Sequence, residues 1–167
     1  MMKVNVITID GPSASGKGAL ALRISNIFGF KILDSGALYR LYAYFSKMNF
    51  PSDEIINQIK MNIIFNNHKN GLSIMYKEDD ISSELRSEAI AKLASEYSAK
   101  KEVRDTLFNI QRNFYDGDIL VADGRDMGTV VFKDAKLKIF LAFLLRFLFL
   151  RNHLLLLLEQ LQPHHQL

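Results

Sequence analysis

Two glycines and a lysine near the N-terminus stand at a spacing that can hold an anion. Gly11-Pro12-Ser13-Ala14-Ser15-Gly16-Lys17-Gly18-Ala19 follows the short β-branched run Val4–Ile9 and opens residues 17–28, where Leu20, Ile24, Ile27 and Phe28 recur at helical spacing. Strand, glycine loop and helix is the context a phosphate loop requires. Gly11 and Gly16 let successive backbone N–H groups turn into one hollow, the helix N-terminus adds partial positive charge, and Lys17 adds a full one. A triphosphate is the natural guest. The position after the lysine departs from the general pattern: Gly18 stands where a Ser or Thr hydroxyl would hold Mg²⁺, so the ion must be held mainly through phosphates, water and other groups.

Two further clusters fall where strands are expected to end. Asp34-Ser35-Gly36-Ala37-Leu38-Tyr39-Arg40 follows the short run Phe30–Leu33, and Arg40 can fork onto a phosphate, although a surface cation on a helix is the plain alternative. Asp123-Gly124-Arg125-Asp126-Met127-Gly128-Thr129 follows the apolar run Asp118–Ala122. Asp123 is placed to attend Mg²⁺, directly or through water, Arg125 to neutralise a phosphate, and Asp126 to accept from an exocyclic amine. A polar turn capping a helix is the plain alternative there.

These groups need a scaffold that brings strand ends together. The alternation of short strands with helical stripes predicts an α/β domain, a P-loop type of parallel sheet with helices on both faces, whose ligands bind at the carboxyl edge. Gly29 is expected to end the first helix. Leu38, Leu41, Tyr42 and Phe45 form a second helical stripe, stopped before Pro51. Residues 52–66 read as helical, Gly71–Tyr76 as part of a hairpin around Asn70-Gly71, and the stripes Ile90/Leu93/Ala94/Tyr97 and Val103/Leu107/Ile110/Phe114 as two more helices. Leu137–Leu141 reads as a last core strand.

On these motifs the chain resembles bacterial cytidylate kinase, of the nucleoside monophosphate kinase group. The matching segments are Ile7–Ser13 with Gly16-Lys17-Gly18, Leu33–Arg40, and Ala122–Phe132, with Leu85-Arg86 to Arg104 similar to the family's insert. The resemblance implies ATP and Mg²⁺, with CMP or dCMP as the phosphoryl acceptor. It implies that residues 11–19 hold the donor phosphates, and that Lys17, Asp123 and Arg125 serve the transfer. It further implies that Ser35, Arg40 and Arg125 meet the acceptor phosphate, that Tyr39 lines the acceptor pocket, and that Ser95, Arg104 and Asp126 read cytosine. The insert would span residues 52–114 within a kinase domain of residues 1–141. Ala19 departs from the family's usual Thr.

The resemblance stops near Ala142. Residues 142–167 carry only Arg146, Arg151 and Glu159 as charged side chains, and five leucines run from 154 to 158. This tail replaces the family's arginine-rich lid and last strand, as a shift of coding frame would. The expectation is therefore a kinase fold with lid and last strand missing, and the alternative reading is a weak or inactive nucleotide-binding remnant. A membrane anchor and a different small-molecule kinase are further alternatives. Arg146, Arg151, Asn152 and His153 interrupt the apolar run, which argues against a span, as a span needs about 20 apolar residues.

Composition narrows the classes. The 167 residues contain no Cys and no Trp, and 49% are hydrophobic. That excludes a disulfide scaffold, thiol catalysis and a thiolate metal site, and suits a reducing, cytoplasmic setting. The N-terminus lacks a signal-peptide pattern. A net charge of +3 suits anionic small molecules, and no basic run dense enough for nucleic acid is present. The expected partners are nucleotides alone, acting on a monomer without a dedicated protein metal site.

Overall fold

In the computed structural model, which describes residues 4–68 and 71–142, the apolar run at the N-terminus becomes β1 (Val4–Asp10). The glycine loop leads into α1 (Lys17–Phe28), which Gly29 terminates with φ +68°, the left-handed geometry that glycine adopts without a Cβ penalty. The chain continues through β2 (Lys31–Asp34), α2 (Ser35–Lys47), α3 (Ser52–Asn62), β3 (Ile63–His68), β4 (Gly71–Tyr76) and β5 (Asp79–Asp80). Next come α4 (Ser82–Leu85), α5 (Glu88–Ala99), α6 (Lys101–Asn113), β6 (Leu120–Gly124) and β7 (Ala135–Phe140).

Among the described residues, β2, β6, β1 and β7 form a four-stranded sheet in that order, with every pairing parallel. Strand residues alternate between its faces. Ile9 and Val121 pack with Ala21 of α1 on one face. Val6, Leu33, Leu120 and Ala122 meet Leu38, Leu41 and Phe45 of α2 on the other, together with Leu107 and Ile110 of α6. Helices on both faces explain why the strands read as near-continuous apolar runs.

β3, β4 and β5 form a separate antiparallel sheet. Residues 52–114 nevertheless share the larger apolar cluster: Ile55, Ile59, Ile74, Ile81, Leu85, Ile90, Val103 and Leu107 pack into the same core as Val6 and Leu33.

Several boundaries differ from expectation. The helix expected over 52–66 ends at Asn62, because Ile63, Ile64 and Phe65 pair with Tyr76, Met75 and Ile74. A β-branched and aromatic run with a strand beside it gains ladder bonds that a helix end would leave unmade. The strand expected at Asp118–Ala122 starts two residues later, since the register with β2 pairs Lys31 with Leu120. Asp118 instead forms an ion pair with Lys31 at 3.4 Å. The strands expected at Phe30–Leu33 and Leu137–Leu141 run from Lys31 to Asp34 and from Ala135 to Phe140. The hairpin is present, with Asn70 of its expected turn outside the described residues. Expectations for the leucine-rich tail, the lid and the last strand fall on 143–167, also outside them. No helix among the described residues is long and apolar enough to cross a membrane.

Candidate nucleotide site

Parallel register brings three carboxylates to one edge. Asp34 sits opposite Asp123 across β2 and β6, and Asp10 opposite Gly124 across β1 and β6. Each has a different local task. Asp10, buried at 6% exposure, accepts the backbone N–H groups of Met127 (2.7 Å) and Gly128 (2.8 Å). It thereby fastens the end of β1 to the turn that carries Arg125 and Asp126. Asp34 caps α2 by accepting the Ala37 N–H at 2.9 Å, and forms an ion pair with Arg40, also at 2.9 Å. Asp123 is 8% exposed, and its Oδ1 has no hydrogen-bond partner. Burial first, then the neighbouring Asp34 charge, pushes its carboxyl up to about 7, against the pull of Lys17 and Arg40.

The glycine loop wraps this edge. Gly16 takes φ +86° at the start of α1, and a Cβ on Gly11 would lie 2.5 Å from the Leu141 carbonyl oxygen, so neither position accepts a larger residue without strain. Lys17 Nζ donates to the Pro12 carbonyl at 3.2 Å. The Ser15 hydroxyl is buried without a partner, and the Ser13 hydroxyl is held by Arg125 at 2.8 Å. A Cβ at Gly18 would stand 3.1 Å from Asp123 Oδ2. A side chain at this position would have to share the space beside the helix start with that carboxylate.

One cavity of about 580 Å³ joins these groups. Ser13, Ala14, Gly16, Lys17 and Gly18 line one end. Ser35, Tyr39 and Arg40 line its floor, and Asp123, Arg125 and Asp126 the strand-end side. Ser95 of α5 and Arg104 of α6 also line it. Of the residues expected at a site, Gly11, Pro12, Ser15 and Ala19 do not line the cavity. The first three shape the loop behind it, and Ala19 lies exposed on α1.

The cleft is polar and uneven in charge. Arg40 gives Nη2 to Asp34 while its buried Nε has no partner. Arg104 donates to the carbonyls of Ser98 (3.0 Å) and Ala99 (2.8 Å), which fixes its guanidinium at the junction of α5 and α6. Burial, then the Asp10 charge, raises the Asp126 carboxyl, with Arg104 opposing. Burial, then Asp126, likewise raises the Tyr39 phenol. Cationic donors, orphaned polar atoms and carboxylates at opposite ends suit a ligand that carries phosphate and a hydrogen-bonding base.

Three contributors are absent from the sequence expectations, among them Asp10 with its hold on the Met127–Gly128 turn. Asp34 was read only as part of a motif, yet it holds Arg40. Gln111 is 2% exposed on α6 and donates from Nε2 to Ser35 Oγ at 3.0 Å. A signal for it exists in the sequence, since Gln111 interrupts the apolar stripe between Leu107 and Phe114. A polar side chain on a buried stripe needs a partner.

A family model described as cytidylate kinase matches residues 7–144. The chain is 42% identical over 143 residues to a cytidylate kinase of Proteus mirabilis, covering 83% of this chain and 64% of that one. It is 43% identical over 141 residues to one of Photorhabdus laumondii, covering 81% and 62%. With one of Pseudomonas fluorescens the identity is 43% over 149 residues, covering 84% and 64%. The chain thus spans a little under two thirds of the length of these relatives.

Proposed function

We propose that this chain, which belongs to the cytidylate kinase family, binds ATP at its glycine loop and CMP or dCMP beside it, and serves transfer of the γ-phosphoryl group to give CDP or dCDP. The observation that carries the reading is the single cavity in which Lys17 and the loop face Ser35, Arg40, Arg104 and Asp126.

A monophosphate oxygen is already an anionic nucleophile, so the reaction needs no general base. It attacks the γ-phosphorus, the bond to the ADP oxygen breaks, and ADP leaves with that bond's electron pair. Positioning and neutralisation supply the catalysis. The loop amides and Lys17 hold the donor phosphates, once Lys17 exchanges its Pro12 carbonyl for a phosphate oxygen. Ser35, Arg40 and Arg125 meet the acceptor phosphate. Arg40 is held in place for it by Asp34, which takes its Nη2. Tyr39 lines the acceptor side. Ser95, Arg104 and Asp126 pair with the cytosine edge, and a wrong base would leave the half-buried Asp126 carboxyl unmatched.

Mg²⁺ fits beside Asp123, whose Oδ1 is buried and unpartnered and whose raised carboxyl calls for a cation. No group of three His, Cys, Asp or Glu among the described residues is arranged to hold a metal, so phosphates and water would complete its shell. When bound with ATP, the ion neutralises charge on the β- and γ-oxygens.

Titration of a fluorescent ATP analogue into wild type and Lys17→Ala tests the donor end. Charge-assisted hydrogen bonds contribute ~1.5–3 kcal/mol, so the mutant should bind at least ~10-fold more weakly. Equal affinities would refute the loop assignment.

A further inference from the structure

Ser35 Oγ accepts a hydrogen bond from Gln111 Nε2 at 3.0 Å, and both residues are buried, at 4% and 2% exposure. A hydroxyl has one proton and two lone pairs. When a neighbouring amide donates to it, its own proton must find another acceptor. Ser35 lines the nucleotide cavity and Gln111 does not. The amide therefore approaches the hydroxyl from behind, and the remaining proton faces the cavity.

We propose that Gln111 is a positioning residue for the acceptor: it sets the Ser35 hydroxyl as a hydrogen-bond donor aimed at the monophosphate. This rests on the reading above that Ser35 meets the acceptor phosphate. The chemistry explains the residue type. A glutamate of the same shape would accept the Ser35 proton and turn the hydroxyl's lone pairs toward the phosphate oxygens, which repel them. An apolar side chain would leave the hydroxyl free to rotate. A neutral side-chain donor imposes the useful polarity without placing a charge behind an anion site.

Calorimetric binding of CMP and of a non-hydrolysable ATP analogue tests the proposal on the full chain. Wild type, Gln111→Met, Gln111→Glu, Ser35→Ala and the Ser35→Ala/Gln111→Met double variant are compared. Gln111→Met should weaken CMP binding ~10-fold, the scale of one hydrogen bond to a charged group, and leave the ATP analogue within ~2-fold. Gln111→Glu, equal in volume to the native side chain, should weaken CMP binding further. In the Ser35→Ala background, Gln111→Met should change CMP affinity by less than ~3-fold, because the hydroxyl it orients is gone. A purely structural role would cost the same in both backgrounds, and that result overturns the proposal. So does unchanged CMP affinity in Gln111→Met. A wild-type chain that binds the ATP analogue but not CMP overturns the acceptor reading itself, and this inference with it.

Discussion

Replacing Asp123 with asparagine should make the protein more stable while weakening its hold on nucleotide and Mg²⁺. Asp123 is buried at the end of β6 with Asp34 and Asp10 on the neighbouring strand ends. Its carboxyl is raised from 3.8 to about 7, by burial first and by Asp34 second. The sign follows from linkage. An acid with a raised folded pKa loses its proton more readily in the unfolded chain, so its ionisation opposes folding. The penalty is absent below pH ~3.8, grows through the window up to pH ~7, and is complete above it. At 1.36 kcal/mol per pH unit, the full penalty is about 4 kcal/mol. Asparagine removes the charge but keeps a buried polar amide, which returns about 1–2 kcal/mol. A net gain of about 2 kcal/mol at pH 8 remains, shrinking towards zero or below near pH 4. Urea unfolding followed by circular dichroism at pH 4, 6 and 8 measures it. A gain independent of pH, or no gain at pH 8, would refute the argument that burial and neighbouring carboxylates strain this site.

Arg104→Ala or Asp126→Ala should lower the preference for CMP over UMP more than it lowers phosphate affinity, and an unchanged CMP-to-UMP binding ratio would remove both from the base site. Arg40→Ala should instead weaken both monophosphates by the same factor, since the proposed role of Arg40 is to meet the group they share. Asp10→Ala deprives two buried N–H groups of their acceptor; at ~1–3 kcal/mol each it should lower stability by about 2–6 kcal/mol, and a urea midpoint equal to wild type would show that the Met127–Gly128 turn stands without it.

The parts of the molecule that local chemistry dictates were legible. Gly11, Gly16 and Lys17 between an apolar run and a helical stripe specify a loop and a helix start, and the structure has both. Ser35, Arg40, Ser95, Arg104 and Asp126, separated widely in sequence, do line one cavity with Lys17. Their gathering could be expected only through family resemblance, because no spacing rule relates α5 and α6 to a strand end. Ile63–Phe65 was misread as helix since three apolar residues suit either periodicity, and a distant strand decides. The roles of Asp10 and Gln111 were hidden for a related reason: each acts through a partner that only the fold brings near, whereas Asp34 caps the helix that follows it and was within reach of a local reading.

The order of the strands bears on how the chain is made. β1 leaves the ribosome first, yet both of its neighbours, β6 and β7, lie more than a hundred residues further on. At ~5–20 residues per second, synthesis takes about 5–25 s to deliver the first of them. Throughout that interval the Val4–Ile9 segment has no strand to pair with, while α2–α5, whose mutual contacts are closer in sequence, can already collapse on one another. The edge that carries the candidate site is therefore among the last features to form, because Asp10, Asp34 and Asp123 share an edge only after β6 has slid between β1 and β2. Until then the apolar β1 segment is an unpaired strand of the kind that exposes a growing chain to aggregation.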